Sequence, residues 1–170
     1  MVLVAMFVIA SIAYAQAPLL LPTRNLAQEL SFSTTLGWKG MFLMSTAYQP
    51  VEEAWLKNDF LPKFQLIVKR LRMKSNTEGF DCDNFATLFK AQLQMENRLA
   101  GNSALGEVAC GILVVQQKKS FGRVMANNRQ LHSLIVIRTE NGWQVIEPQT
   151  MRVANLDKYP NRNTIDSIYF

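Results

Sequence analysis

Residues 131–148 read LHSLIVIRTENGWQVIEP and predict two β-strands joined by a turn. The first strand begins beside His132 and continues as an apolar, β-branched run, and the second ends at Glu147, directly before a proline. The polar residues 138–142 separate the two strands and include the Asn-Gly pair that is typical of a turn. Because side chains alternate along a strand with a period of two, the only histidine of the chain and this carboxylate fall on one face of the hairpin.

The length of the turn decides whether Glu147 can reach His132. A tight two-residue turn at the Asn-Gly pair would place Glu147 opposite Val136, roughly 13 Å from His132 at about 3.3 Å per residue. A loop that spans residues 139–142 would place Glu147 opposite Leu134, so that His132 becomes its diagonal neighbour at about 7 Å between backbones. A hydrogen bond between the two side chains therefore requires the longer loop.

Upstream of the hairpin, residues 79–86 read GFDCDNFA and predict the start of a helix at Cys82. Asp81 is a good N-cap, and Asn84, three residues later, suits a capping box. Apolar residues then recur with a helical period. The unpaired N–H groups and the helix dipole at this position favour a thiolate, whereas the two flanking aspartates oppose it. An imidazolium partner is therefore required. Cys82, His132 and Glu147 predict a cysteine nucleophile, its base and the acid that orients the base.

These features resemble the papain-like and transglutaminase-like cysteine enzymes. Over residues 79–150 the sequence is most similar to the papain-like protease domain carried by a fungal agglutinin and by related bacterial proteins, and the Glu-Pro-Gln-Thr segment that begins at Glu147 is the most distinctive part. The resemblance implies an α+β, papain-like fold in which the nucleophile-bearing helix packs on an antiparallel sheet. It also implies the catalytic roles of Cys82, His132 and Glu147. Calcium is a cofactor that the resemblance alone suggests, since no cofactor motif is evident in the sequence.

A triad of this kind predicts thiol-dependent acyl transfer at amide bonds, with a cysteine peptidase acting on protein or peptide as the main hypothesis. An amine acceptor would make the same site a transglutaminase, and a cell-wall amidase is a further alternative. The opposing hypothesis is a non-catalytic exported binding module with a structural disulfide between Cys82 and Cys110. Against that disulfide, Cys110 lies in an apolar run that predicts a central strand, where a buried free thiol would be inert.

The first 15 residues predict a signal peptide. An apolar run with one serine leads to Ala13-Tyr14-Ala15, which is a small-x-small cleavage signature, and the first charged residue is Arg24. The run is shorter than the roughly 20 residues that a membrane span needs, and an anchor extended through Leu21 is the alternative. Residues 16–170 then form one enzyme domain that is secreted or periplasmic, with a membrane-anchored protein as the alternative.

The net charge of the chain is +5, from 18 Lys and Arg against 13 Asp and Glu. The basic residues cluster within residues 63–74 and 118–129, and such runs are usually solvated faces. An anionic cell-wall or membrane surface is the partner that they would suit, and we expect no nucleic-acid partner for an exported protein.

The remaining elements follow from apolar spacing. Residues 52–73 predict one long helix or two, with Pro62 at a kink or break. Residues 106–117 predict a strand, and residues 165–170 predict a last edge strand. This order of helices and strands again indicates an α+β fold.

Overall fold

The structure is a computed structural model. It describes residues 20–33, 40–70, 81–101, 106–122 and 131–170. The predicted signal peptide over residues 1–15 lies outside these ranges and stays a prediction. Within the ranges, none of the helices has the length and apolar character needed to cross a membrane.

The described residues form nine strands and four α-helices. The strands are β1 (Leu21–Pro22), β2 (Met41–Phe42), β3 (Ala47–Gln49), β4 (Glu107–Val108), β5 (Cys110–Gln116), β6 (Leu131–Thr139), β7 (Gly142–Glu147), β8 (Arg152–Asn155) and β9 (Ile165–Tyr169). The helices are α1 (Thr23–Ser33), α2 (Glu53–Trp55), α3 (Leu61–Arg70) and α4 (Cys82–Leu99), with a π-helical turn at Leu56–Phe60 and 3₁₀ turns at Leu156–Lys158 and Arg162–Thr164.

A six-stranded sheet in the order β2-β9-β5-β6-β7-β8 forms the centre of the structure. Its neighbouring strands are antiparallel, except that β2 and β9 are parallel. A smaller sheet has the order β1-β3-β4. The strands β5, β6 and β7 are neighbours in the large sheet. Of the three predicted site residues, His132 lies on β6 and Glu147 on β7.

The strand β6 shows that the large sheet is buried on both faces. Leu134 and Val136 belong to a core cluster with buried side chains of α1, whereas Ile135 and Ile137 belong to a second cluster with those of α3 and α4. All four side chains are fully buried. A strand that is covered on both sides needs a continuous apolar run in place of alternation, and residues 134–137 supply one.

Aromatic side chains pack α3 and the preceding π-helical turn against α4. The ring of Phe89 lies 5.0 Å from that of Phe60 and 4.9 Å from that of Phe64, in edge-to-face arrangements. All three residues are fully buried. Such aromatic pairs contribute about 0.5–1.5 kcal/mol each beyond the burial of their surface. Their packing fixes the position of α4 on the sheet.

The predicted papain-like architecture, a nucleophile-bearing helix on an antiparallel sheet, is wrong. The sheet dominates the structure, is covered on both faces, and is mixed because β2 and β9 are parallel. The second sheet was not predicted at all, and α+β describes the structure only loosely. The physical reason is that β1, β2 and β4 contain two residues each, which is too short for a period of two to be recognised.

Two predictions of single elements have different outcomes. The helical prediction over residues 52–73 is confirmed as far as Arg70, and Pro62 lies just after the π-helical turn Leu56–Phe60, which interrupts the regular α-helix at the predicted kink. The strand predicted at residues 165–170 is confirmed, but its predicted edge position is wrong, because β9 lies between β2 and β5. Phe42 of β2 stacks on Tyr169 of β9, with ring centroids 4.8 Å apart.

Candidate functional site

Cys82 is the first residue of α4. The backbone of Asp81 before it is extended, and its N–H donates to Oδ1 of Asn84 at 3.1 Å. This contact is the backward half of a capping box, so the predicted helix start is confirmed. The thiol therefore lies in the first turn of an 18-residue helix, where backbone N–H groups have no intrahelical acceptor.

The hairpin of β6 and β7 sets the spacing between His132 and Glu147. Arg138 pairs with Trp143, which is the register that was required for Glu147 to reach His132. The ladder closes one pair further out than predicted, so the turn consists only of residues 140–141. His132 and Glu147 are then diagonal neighbours on one face of the hairpin, and the predicted register is confirmed.

A hydrogen bond joins His132 to Glu147, with 2.6 Å between Nε2 and Oε2. Glu147 is 0% exposed and His132 is 9% exposed. The second carboxylate oxygen, Oε1, accepts the backbone N–H of Gln149 at 3.1 Å. Both oxygens of the buried carboxylate thus have a partner, which offsets the cost of removing it from water. The bond at Nε2 leaves Nδ1 of His132 for Cys82.

A close backbone approach at Gly122 helps to bury Glu147. A Cβ on Gly122 would lie 2.5 Å from Oγ1 of Thr150 and 3.0 Å from Cβ of Glu147, and the φ angle of Gly122 is +61°. Only glycine combines this φ angle with such a short approach. The backbone at Gly122 therefore covers one side of the carboxylate residue.

His132 interacts with both of its predicted partners. Burial lowers the pKa of His132, but the hydrogen bonds to Cys82 and Glu147 and the negative charges of both groups raise it to about 9. The positively charged imidazolium is therefore the favoured form of His132 at neutral pH. This positive charge stabilises the thiolate form of Cys82.

The thiol of Cys82 responds to this charge. Burial raises the pKa of Cys82, but hydrogen bonds from the His132 side chain and the Ser133 backbone, together with the charge of His132, outweigh burial and the opposing charge of Asp81. The pKa of Cys82 thus lies below its ordinary value of 9.0. The donor at Ser133 was not predicted from the sequence, because every non-proline residue carries a backbone N–H.

Cys110 is chemically different from Cys82. Both cysteines are free, so the alternative of a disulfide between them does not describe this structure. Cys110 is fully buried, and burial raises the pKa of its thiol to about 12, although the charge of Lys90 opposes this. Of the two thiols in the chain, only Cys82 is set up to react at neutral pH.

Metal ligands do not converge in the part of the chain that the structure describes. No group of three or more His, Cys, Asp or Glu side chains there could hold a metal ion. The calcium requirement that the resemblance suggested stays a prediction.

No protein-family profile and no curated protein sequence matches the chain. Solved structures do share its fold. One, described as a "PSL1a-E64 complex", aligns with a TM-score of 0.62 and 16% identity over 89% of this chain and 50% of its own. Another is the Polyporus squamosus lectin bound to the human-type influenza-binding epitope Neu5Acα2-6Galβ1-4GlcNAc, with a TM-score of 0.63 and 16% identity over 89% of this chain and 49% of its own. The chain thus spans about half the length of these structures.

The likeness to a lectin contradicts what the resemblance to papain-like proteases implied. Five predictions are therefore wrong: the family, the papain-like fold, the cysteine peptidase activity, the enzyme class and the peptide substrate. The reason is that the matching structures are of a lectin that binds a glycan. The alternative of a non-catalytic binding module fits the finding better. At this sequence identity the likeness concerns the fold alone, so the roles of Cys82, His132 and Glu147 stay a prediction.

Proposed function

We propose that this chain is a ligand-binding domain in which Cys82 can form a covalent bond with an electrophilic ligand. The observation that carries the proposal is the buried hydrogen bond between His132 and Glu147, with 2.6 Å between Nε2 and Oε2, beside a Cys82 thiol whose pKa His132 lowers. A cysteine that only fills space in a core needs neither an imidazole nor a buried carboxylate. Cys110 is a cysteine of that simpler kind, and it provides the internal comparison.

The chemical step follows from the protonation states of the pair. The thiolate of Cys82 attacks an electrophilic carbon and forms a carbon–sulfur bond. If that carbon belongs to an epoxide, its carbon–oxygen bond breaks, and the oxygen takes the proton of the His132 imidazolium. Nothing leaves the ligand, so the adduct retains the full mass of both partners. Glu147 holds the ring in place and stabilises the imidazolium before the proton moves.

The E64 complex of PSL1a supports this proposal. E64 is an epoxide, and a protein that shares the fold of this chain forms a complex with it. In this chain, Cys82 is the nucleophile with a lowered pKa that such an epoxide would meet. We therefore propose Cys82 as the attachment point of E64 in this protein.

Intact-mass spectrometry after incubation of the full chain with E64 at pH 7 tests the proposal. We expect a single adduct, located on Cys82 by peptide mapping. Cys82→Ser should abolish the adduct and His132→Ala should slow its formation, while Cys110→Ala serves as the matched control and should react like the unmodified chain. An absent adduct, or equal labelling of Cys82→Ser, would overturn the proposal.

Carbohydrate binding is a second candidate function, favoured by the glycan in the Polyporus squamosus lectin structure. This chain spans 49% of that lectin, so the glycan contacts either the half that shares the fold or the other half. A sialylated glycan would also be an anionic surface partner of the kind that the basic charge predicts. A glycan array probed with the full chain tests this candidate. Absence of binding to every glycan would exclude it, and the E64 experiment would still decide the role of Cys82.

A further inference from the structure

We infer that Asn161 is a positioning residue for the Cys82 site, an inference that rests on the proposed reactivity of Cys82. The Asn161 side chain fixes residues 117–122, the strap, where this segment passes over Glu147. The strap follows β5, and the backbone of its last residue, Gly122, approaches Glu147 closely. A fixed strap keeps water away from the carboxylate that contacts His132.

The side chain of Asn161 holds both backbone polar groups of Lys119 in the middle of the strap. Its Oδ1 accepts the N–H of Lys119 at 2.7 Å, and its Nδ2 donates to the oxygen of the same residue at 2.7 Å. Asn161 is 2% exposed, whereas residues 118–120 are exposed. Burial of their own side chains therefore does not fix these three residues. Two short bonds from a buried amide fix them instead.

The strap is also anchored near each of its ends by the segment that contains Asn161. Directly before the strap, Oγ1 of Thr164 donates to the backbone oxygen of Gln116 at 2.7 Å. Next to Gly122, the ring of Phe121 packs edge-to-face on that of Tyr159, with 5.2 Å between the centroids, and both rings are buried. These two anchors do not involve the Asn161 side chain. We therefore expect the chain to fold without the two central bonds.

Ionisable groups from several elements surround Glu147. His132 contacts its carboxylate from β6, and Arg152 is its exposed neighbour on β8. Burial and the charge of Glu147 both raise the pKa of Tyr159, so this phenol stays neutral at pH 7. Cys82 acts on the far side of the imidazole. The His132 imidazolium is therefore the charge that Glu147 contacts directly.

Exclusion of water strengthens the attraction between Glu147 and this imidazolium, because the effective dielectric constant is lower in a buried site. Burial lowers the pKa of His132, but Cys82 and Glu147 raise it, and the net result is about 9 in place of 6.5. Water that enters beside a loosened strap would weaken the influence of this environment. The pKa of His132 would then move back towards 6.5, and Cys82 would lose part of the charge that stabilises its thiolate.

Two NMR measurements on the full chain with Asn161→Ala test the inference. We expect the titration midpoint of the His132 ring to fall by about 1 pH unit. Amide hydrogen exchange at Lys119 should become faster, because its N–H loses its acceptor. Formation of the E64 adduct on Cys82 at pH 7 should become slower in the same variant.

Thr139→Val is the matched control for a loss of stability alone. Thr139 is fully buried at the far end of β6. Its Oγ1 donates to the oxygen of Gly142 at 3.0 Å and accepts the N–H of Asn141 at 3.3 Å, so the variant also removes one donated and one accepted bond to the backbone. We expect this variant to be less stable than the unmodified chain, with the His132 midpoint unchanged.

Asn161→Gln is the conservative variant, which keeps a neutral amide on a longer side chain. Its His132 midpoint should lie between those of Asn161→Ala and the unmodified chain, and faster exchange at Lys119 should accompany any fall. This variant decides the inference if Asn161→Ala does not fold.

Three results would overturn the inference. The first is unchanged exchange at Lys119 in the Asn161 variants, and the second is faster exchange there without a fall of the His132 midpoint. The third is an equal fall in Thr139→Val, because lost stability alone would then explain the shift. If the unmodified chain forms no E64 adduct, the proposed function fails, and the His132 titration still decides the role of Asn161.

Discussion

Replacing Glu147 with glutamine should lower the pKa of His132 while leaving the fold intact. The amide oxygen of glutamine can still accept the N–H of Gln149, and its NH₂ group can donate to Nε2 of His132. The amide cannot, however, stabilise the imidazolium, which Glu147 contacts at 2.6 Å from a fully buried position. An opposite charge at this distance shifts a pKa by about 1–3, which corresponds to roughly 1.4–4 kcal/mol at 1.36 kcal/mol for each tenfold change. The pKa of His132 should therefore fall from about 9 by that amount.

The assay is an NMR titration of the His132 ring. His132 is the only histidine in the chain, so its ring signals need no further assignment. Glu140→Gln is the matched control, because Glu140 lies in the hairpin turn and accepts the backbone N–H of Glu53 at 2.8 Å. A titration midpoint in Glu147→Gln that equals that of the unmodified chain would refute the reasoning, since Glu147 would then not be what holds His132 in its charged form.

Three further predictions concern the thiols and the packing. In the folded chain, iodoacetamide at neutral pH should label Cys82 alone, and Cys110 should react only after unfolding because it is fully buried with a pKa of about 12; two fast-reacting thiols by mass spectrometry would contradict this. Phe89→Ala should lower the free energy of unfolding in urea by about 3–5 kcal/mol, because it empties a fully buried aromatic site, and an unchanged denaturation midpoint would show that this cluster does not hold α4. Gly122→Ala should lower it by about 1–3 kcal/mol, because the new Cβ would meet Oγ1 of Thr150 at 2.5 Å; thermal melting at the original temperature would count against that contact.

The local geometry of the candidate site could be predicted because its determinants are close in sequence. Asp81 and Asn84 cap the helix within one turn of Cys82, and both are visible as N-cap residue types. The hairpin register followed from the requirement that Glu147 reach His132, and alternation put both on one face. The helix cap and the hairpin register depend only on neighbouring residues or on one turn.

Other features depend on pairings between distant segments and left no pattern in the sequence. β9 lies inside the sheet because the two-residue strand β2 pairs with it from the opposite end of the chain. The donor at Ser133 is a backbone group, which has no signature of its own. The choice of ligand could not be predicted either, because the few groups around Cys82 determine the reactivity of its sulfur atom, whereas recognition depends on the surrounding surface. For this reason the same residues led to the wrong prediction of a peptidase.

The pH dependence of Cys82 alkylation tests the central claim most directly. The rate follows the thiolate fraction, and since the pKa of Cys82 is lowered in the fold, the rate of iodoacetamide labelling should reach half of its maximum below pH 9.0. Peptide mapping by mass spectrometry at each pH separates Cys82 from Cys110. In His132→Ala the midpoint should move up, because burial and Asp81 then act on the thiol without the opposing imidazolium. A midpoint at or above pH 9.0 in the unmodified chain would contradict an activated thiolate at Cys82.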